Sequence, residues 1–402
     1  MLTSVAAARQ HLLANKIDFG TETVSLSEAQ GRSLRQNLVA DRDQPPFDRV
    51  AMDGITIDYA AYAAGQRLFP IAGLQAAGTL PIPLTNPASC LEIMTGAALP
   101  PGATTIIRYE DLKKEGVAFR LPDGILDGAN LHRRGKDVMA GAVLAEIGQY
   151  IGVGEIGMLA TCGYDQVAVA RLPKVAIVAT GNELVPVTAT PEPHQIRRSN
   201  LYQLAALLRP LGITATLHHL VDDREELTTA LAELLDSADI VILSGGVSKG
   251  KLDFVPEVLT DLGVKTLFHG VAQRPGKPLW CGQRGHTMVF GLPGNPVSSI
   301  SCSLHYVLPY LRHCLGLAEP PPAYGQLSHE LTFKPSLTLF ERVSLQSEPT
   351  TGILTISSVR HSGSGDAGSM LRTDAFAEFP ASQTVFEEGT SVRIRMVDAW
   401  IG

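Results

Sequence analysis

Apolar and polar positions change rhythm along this chain, and each change predicts a different kind of element. Val5, Ala8, Leu12 and Leu13 recur at helical spacing and predict a short helix over residues 2–15, ending before Asn15-Lys16. From about Asp41 the texture turns to short apolar runs punctuated by Pro45-Pro46, Gly65, Gly73, Gly78, Pro81, Pro83 and Pro87, which reads as a β-rich module over 46–135. Residues 136–172 mix short strands with a helix-like start at Gly152–Leu159. Packed back on the N-terminal helix, this stretch makes the β module an insertion.

At Pro173 the pattern becomes regular. Lys174–Thr180 carries the continuous apolar run Val175–Ala179, as expected of a strand buried on both faces. Leu201, Leu204, Ala205 and Leu208 mark a helix face, Ile213–Leu220 a strand, and Leu227, Leu231, Leu234 and Leu235 a second helix. Strand Ile240–Leu243, helix Phe254–Leu262, strands Val264–Phe268 and Met288–Phe290 and helix Pro296–Leu311 follow. Alternation of this kind predicts a mostly parallel sheet covered on both faces, a three-layer α/β/α domain. After Pro320-Pro321-Pro322 only short alternating runs remain, such as Ser391–Val397, and these predict a small β-barrel or sandwich. The expected organisation is an α/β multidomain chain: an N-terminal α+β domain of 1–45 plus 136–172, the insert 46–135, the α/β domain 173–318 and the β domain 323–402.

A length of 402 residues accords with several domains, and the net charge of −7 argues against general nucleic-acid binding, which needs a basic surface. The five cysteines, Cys90, Cys162, Cys281, Cys302 and Cys314, lack Cys-x-x-Cys spacing and predict free thiols in a reducing compartment. No basic-then-apolar leader opens the chain and no run approaches a membrane span, so a soluble cytoplasmic protein is expected.

Open parallel sheets bind ligands at the carboxyl ends of their strands. The residues standing there are Thr180-Gly181-Asn182-Glu183, Asp222-Asp223, Ser244-Gly245-Gly246-Val247-Ser248 with Asp253, Gln273-Arg274-Pro275-Gly276-Lys277, and Pro293-Gly294-Asn295-Pro296 with Ser298. Glycines let backbone N–H groups approach an oxyanion, hydroxyls add donors, and Arg274 and Lys277 supply positive charge. Glu183 and Asp253, with Asp222 or Asp223, offer oxygen ligands to a hard cation such as Mg2+. Each acid has a plain alternative, because Asp253, Asp222 and Asp223 also stand where they can cap the following helix. In the β module, Asp48–Gly54, Met94–Ala97 and His132–Asp137 read equally as charged turns on a solvated surface.

Pro46–Gly54, Ile93–Ala97, Arg133–Asp137, Thr180–Leu184, Ser244–Ser248 and Leu292–Pro296 resemble, in order, the motifs of the MoeA/gephyrin E-domain family, over nearly the whole chain. The resemblance implies a molybdopterin-binding central domain, an elongated N-terminal domain, and a molybdenumtransferase that inserts molybdenum from molybdate into adenylylated molybdopterin, releasing AMP with the help of Mg2+. It also implies a homodimer in which Asp53, Thr95 and Asp137 complete the partner's site. On the central domain it implies Glu183 and Asp253 for catalysis and, with Asp223, for metal. Thr180, Gly181, Ser244, Gly245, Gly246, Ser248, Arg274, Lys277, Pro293, Gly294, Asn295, Pro296 and Ser298 would hold substrate. A molybdopterin adenylyltransferase and molybdoenzyme apoproteins are the implied partners; no nucleic acid and no membrane enters.

Asn182 stands where many members carry Asp, Lys251 where an acid is common, Gly270 where a lysine is common, and Arg274 replaces another lysine. Lys249 and Lys251 would relocate positive charge around the same anions. The other reading is a divergent, non-catalytic cofactor-binding or scaffold paralogue. The four acids Asp53, Asp137, Glu183 and Asp253 speak for an enzyme, because a scaffold has no need of them around an anion pocket.

Overall fold

The structure, a computed structural model, describes residues 2–246 and 254–398. The chain forms two compact units, one of Met1–Gln36, Ile147–Ile156 and Gln166–Gly402, the other of Asn37–Glu146 and Gly157–Asp165.

The larger unit is organised around β1 (Val175–Thr180), β2 (Ala215–Leu220), β3 (Ile240–Ser244), β4 (Lys265–His269), β5 (Trp280–Arg284) and β6 (Thr287–Leu292), in the sheet order β2-β1-β3-β6-β5-β4. β2, β1, β3 and β6 are parallel, and β5 and β4 are antiparallel additions at one edge. Around them run α1 (Ser199–Leu208), α2 (Arg224–Ser237), α3 (Val255–Asp261), α4 (Pro296–Cys302) and α5 (Leu308–Leu315). Because side chains alternate along a strand, Ile177, Ile242 and Phe290 pack with Leu201, Leu204 and Leu208 of α1, while Val178, Val241 and Val289 pack with Leu227 and Leu231 of α2 and Val258 of α3. Two separate hydrophobic layers on opposite faces of one sheet are the three-layer architecture that the apolar runs predict. Each such fully buried aliphatic side chain contributes roughly 1.5–3 kcal/mol. Val5, Ala8 and Leu12 of the N-terminal helix Val5–Ala14 join the first layer. Strand Thr21–Ser25 pairs antiparallel with Gln166–Ala170 in this unit.

Two features depart from the expected elements. β5 is absent from the apolar reading because only its first residues are hydrophobic; it forms as the antiparallel partner of β6 across a turn at Gly285, whose φ is +56°. The helix expected over Pro296–Leu311 is α4 and α5 joined by a π-helical turn, Ser303–Val307. Pro309 lies in the first turn of α5 and has no N–H to continue the α ladder, so the wider turn precedes it.

The C-terminal region is a closed barrel of β7 (Ala323–Leu327), β8 (Thr338–Ser347), β9 (Leu354–Ser358), β10 (Ala375–Phe379) and β11 (Ser391–Met396). The order β8-β9-β7-β11-β10 closes through pairing of β10 with β8, around Leu327, Val343, Ile356, Phe379 and Ile394. The short strand Gln273–Arg274 adds to it, parallel to the start of β8.

The smaller unit holds a six-stranded sheet in the order Thr105–Arg108, Gly54–Ile57, Cys90–Ile93, Leu68–Gln75, Ala118–Arg120, Lys113–Glu115. Ile55, Ile57, Phe69, Ile107 and Phe119 form its core. All five cysteines are buried free thiols. Among the described residues no helix is long and apolar enough to cross a membrane.

Candidate functional site

From β1 the chain moves to β2 on one side, whereas β3 lies on the other, so the carboxyl ends of β1 and β3 diverge and leave a crevice. A cavity of about 440 Å³ opens there. Its walls are Ala179–Gly181 and Glu183 after β1, Asp222 after β2, Ser244–Gly246 after β3, Gly294–Pro296 after β6, and Ile196–Asn200 entering α1.

The glycines here are required by close approach. Gly245 and Gly246 take φ of +101° and +66°, and a Cβ at either would meet Thr180 Oγ1, at 3.0 and 2.8 Å. That hydroxyl is buried and, among the described residues, has no partner, a polar atom left for a ligand to satisfy. A Cβ on Gly181, whose φ is +143°, would meet the Glu183 carboxylate at 2.5 Å, so glycine there lets the acid fold back beside the end of β1. Asn200 Nδ2 donates to Ser244 Oγ (2.9 Å) and to the Gly294 carbonyl (2.7 Å), tying two of the loops together.

The acids separate by function. Asp223 Oδ1 accepts from the backbone N–H groups of Glu225 and Glu226, each at 3.0 Å, so this expected metal ligand is the N-cap of α2. Asp222, one residue earlier, lines the cavity with Glu183. Asn182 Oδ1 accepts from the Asp222 N–H at 3.1 Å and holds that loop; a carboxylate at this position would accept the same bond. Among the described residues no group of three or more His, Cys, Asp or Glu is placed to hold a metal ion. Two carboxylates, Glu183 and Asp222, in the wall of one cavity nevertheless fit Mg2+, which takes few protein ligands and fills its shell with water and phosphate oxygens. Val247–Asp253, with Ser248, Lys249, Lys251 and Asp253, lies outside the described residues.

Other expected residues lie elsewhere. Arg274 and Lys277 are exposed and do not line the cavity; Arg274 follows its short strand to β8. Ser298 is buried in α4, and the Pro293 carbonyl accepts a short hydrogen bond from Ser299 Oγ. Gly270, at the position where lysine is common, has a φ of +83°.

Conversely, Arg197, Arg198 and Asn200 reach the cavity although none of them follows a strand of the six-stranded sheet. Leu184–Val185 and Ile196–Arg197 pair in parallel, so the intervening loop returns to the sheet end and delivers the basic pair to the start of α1. The Arg-Arg-Ser-Asn run before a helix was the available signal. The barrel also reaches Pro293–Pro296: Asn295 Nδ2 donates to Ser364 Oγ (3.1 Å) and the Val297 N–H to the Ser364 carbonyl (3.3 Å). Behind that loop Arg342 donates to Ser369 Oγ and the Gly363 carbonyl. Burial pushes the Glu341 carboxyl up to about 7, against the pull of Arg342 and Arg274.

The smaller unit gathers its own polar group. Asp53 Oδ1 accepts from the Thr95 N–H at 2.6 Å, and this bond holds the carboxyl below its usual range. Asp137 Oδ1 meets His132 Nε2 at 2.8 Å. Asp48 accepts from Arg133 (2.7 Å) and the Arg134 N–H (2.8 Å), and Asp43 from Arg134 (2.7 Å) and the Ala140 N–H (2.9 Å), bolting the loop between them.

Comparison with known proteins covers the whole chain. Residues 3–163 match the MoeA N-terminal region (domain I and II), 176–313 the probable molybdopterin binding domain, and 324–396 the MoeA C-terminal region (domain IV). A molybdopterin molybdenumtransferase of Synechocystis is 36% identical over 393 residues, 96% of this chain and 98% of that one. One of Staphylococcus aureus is 28% identical over 98% of this chain and 96% of its own length. The crystal structure of the molybdopterin biosynthesis MoeA protein of Pyrococcus horikoshii superposes with a TM-score of 0.84 at 27% identity, covering 100% of both chains.

Proposed function

Because this chain belongs to the MoeA family of molybdopterin molybdenumtransferases, we propose that its cavity binds adenylylated molybdopterin and molybdate, joins molybdenum to the dithiolene sulfurs and releases AMP. The role of the chain is in molybdenum cofactor biosynthesis. The observation that carries the reading is the buried Thr180 hydroxyl, without a partner among the described residues, close to Gly245 and Gly246 in a crevice walled by strand-end loops.

In this reading the hydroxyls of Thr180 and Ser244 and the amides of the glycine pair orient the anionic part of the substrate. The α1 N-terminus, with Arg197 and Arg198, offsets its charge. Glu183 and Asp222 would hold Mg2+, which when bound supplies charge neutralisation at the phosphoanhydride. Asp253 and Ser248 join the same site by their motif alone. Nothing on the protein need act as a nucleophile: the substrate brings the sulfur ligands to molybdenum, and an oxygen of molybdate or water attacks the phosphoanhydride phosphorus as its P–O bond breaks and AMP leaves. Asp53, Thr95 and Asp137 serve the site of the other subunit in a homodimer. The enzyme works in the cytoplasm, receiving substrate from a molybdopterin adenylyltransferase and passing product to apo-molybdoenzymes.

Anaerobic incubation with adenylylated molybdopterin and molybdate, following AMP and cofactor and comparing tungstate, tests the reaction. Glu183→Ala and Asp253→Ala should each lose turnover; wild-type rates in both would remove these residues from the mechanism. Mixing inactive Asp53→Asn and Glu183→Ala proteins should restore about one quarter of wild-type activity if each site draws on both subunits of a symmetric dimer. No recovery in a mixture shown to exchange subunits refutes the shared site.

A further inference from the structure

We infer that His132 is a positioning residue for Asp137, held by Arg49 as the uncharged tautomer that carries its proton on Nε2. Strand Leu131–His132 pairs antiparallel with Arg49–Val50, and His132 is directly opposite Arg49. Side chains opposed in this way share a face, and the Arg49 guanidinium lies 3.1 Å from His132 Nδ1. On the other side of the ring, Nε2 lies 2.8 Å from Asp137 Oδ1.

These two contacts leave the ring one arrangement. A guanidinium has donors only and does not lose its proton, so Nδ1 must be the acceptor and carry the lone pair. In the neutral ring the proton is then on Nε2, where it is donated to the carboxylate. A proton on Nδ1 would set an N–H against the Arg49 donors. Asp137 is therefore oriented by an uncharged donor: its oxygen is fixed, but its charge is not cancelled by an ion pair. Oδ1 is thus fixed, and among the described residues Oδ2 has no hydrogen-bond partner and stays open to a ligand.

The loop between the two residues holds this arrangement. Lys136 N–H closes a turn on the Arg133 carbonyl (3.2 Å), Asp137 N–H donates to the Gln44 carbonyl (2.9 Å), and Gly135 N–H to the Pro45 carbonyl (3.0 Å). Gly135 has a φ of +68°, and a Cβ there would meet Met139 Sδ at 2.9 Å, so the turn needs glycine. Both ends of the His132–Asp137 pair are thus pinned by backbone bonds, and among the described residues the imidazole is the one side chain bonded to the carboxylate. The consequence for turnover rests on the proposed role of Asp137; the tautomer does not.

Two-bond 1H–15N correlation spectra of the full-length protein with 15N-labelled histidine, with His132 assigned by its loss in His132→Gln, test the tautomer. The expected pattern at neutral pH is a protonated Nε2 and an unprotonated Nδ1, moving toward a mixture in Arg49→Met. An Nδ1–H ring or an imidazolium in the wild type overturns the inference. In the insertion assay, His132→Ala should lower kcat about tenfold, the worth of one hydrogen bond to a charged group, with KM within about twofold. His132→Gln, which keeps an N–H donor, should recover to within about threefold of wild type. Wild-type kcat in His132→Ala alongside an inactive Asp137→Asn overturns the positioning role alone. Wild-type kcat in Asp137→Asn overturns that role together with the reading it rests on.

Discussion

Among the described residues Thr180 Oγ1 has no hydrogen-bond partner, and it is buried so near Gly246 that a Cβ there would meet it at 2.8 Å. An unsatisfied buried hydroxyl costs stability, so its presence at the end of a central strand is an expense on the folded state with no structural return. Thr180→Val should therefore raise the stability of the unliganded protein by about 1 kcal/mol, read as an increased midpoint in urea. The same variant should bind AMP about tenfold more weakly, measured by calorimetry, for want of that one hydrogen bond. Unchanged affinity would assign the hydroxyl no ligand.

Glycine at 246 answers to two separate constraints, a left-handed φ of +66° and the close approach of Thr180 Oγ1 and Val255 Cγ2, each of which a Cβ would meet at 2.8 Å. Gly352 shares the first, with φ +69°, and has open space around its Cβ position. Gly352→Ala should cost about 1 kcal/mol from conformation alone, and Gly246→Ala about 3 kcal/mol as overpacking adds to it. Equal costs in chemical denaturation would mean that the cavity wall yields and that the close approach does not constrain the site.

Asp222 and Asp223 are adjacent, yet only one lines the cavity. Asp223→Ala removes a helix cap and should lower stability by about 1 kcal/mol while turnover at saturating substrate stays within about twofold. Asp222→Ala should abolish turnover. The reverse pattern would return the metal-binding role to Asp223.

Burial raises the Glu341 carboxyl to about 7 from an ordinary 4.5. Between these values the folded chain keeps a proton that the unfolded chain releases, so this group's contribution is complete below about pH 4.5 and is lost as pH rises toward 7. Burial also lowers the ring pKa of His361, whose Nε2 is 3.4 Å from Glu341, so that group works in the opposite sense as pH falls below its ordinary 6.5. Glu341→Gln should therefore be more stable than wild type above pH 7 by on the order of 2 to 3 kcal/mol, the gap closing toward pH 4.5. Parallel stability–pH curves for the two proteins would contradict the raised carboxyl.

The layers of the larger unit, and most of the residues that wall its cavity, could be read along the chain. Strand and helix periods are local properties, and a glycine or hydroxyl that follows an apolar run must stand at a strand end wherever that strand goes. Val175–Thr180 and Ile240–Ser244 are strands for the same reason that Thr180, Ser244 and Gly245 meet at one crevice. Long-range pairing decided the rest. Arg197 and Asn200 arrive because Leu184–Val185 pairs with Ile196–Arg197, and Arg274 departs because its strand joins β8. β5 exists because β6 offers it an edge, and barrel closure needs β10 to find β8. The choice between Asp222 and Asp223 turns on where α2 begins, and the proton on His132 on a guanidinium far away in sequence. Composition and period cannot carry such information, because a side chain's direction and partners are set by backbone that lies distant along the chain and near only once it has folded.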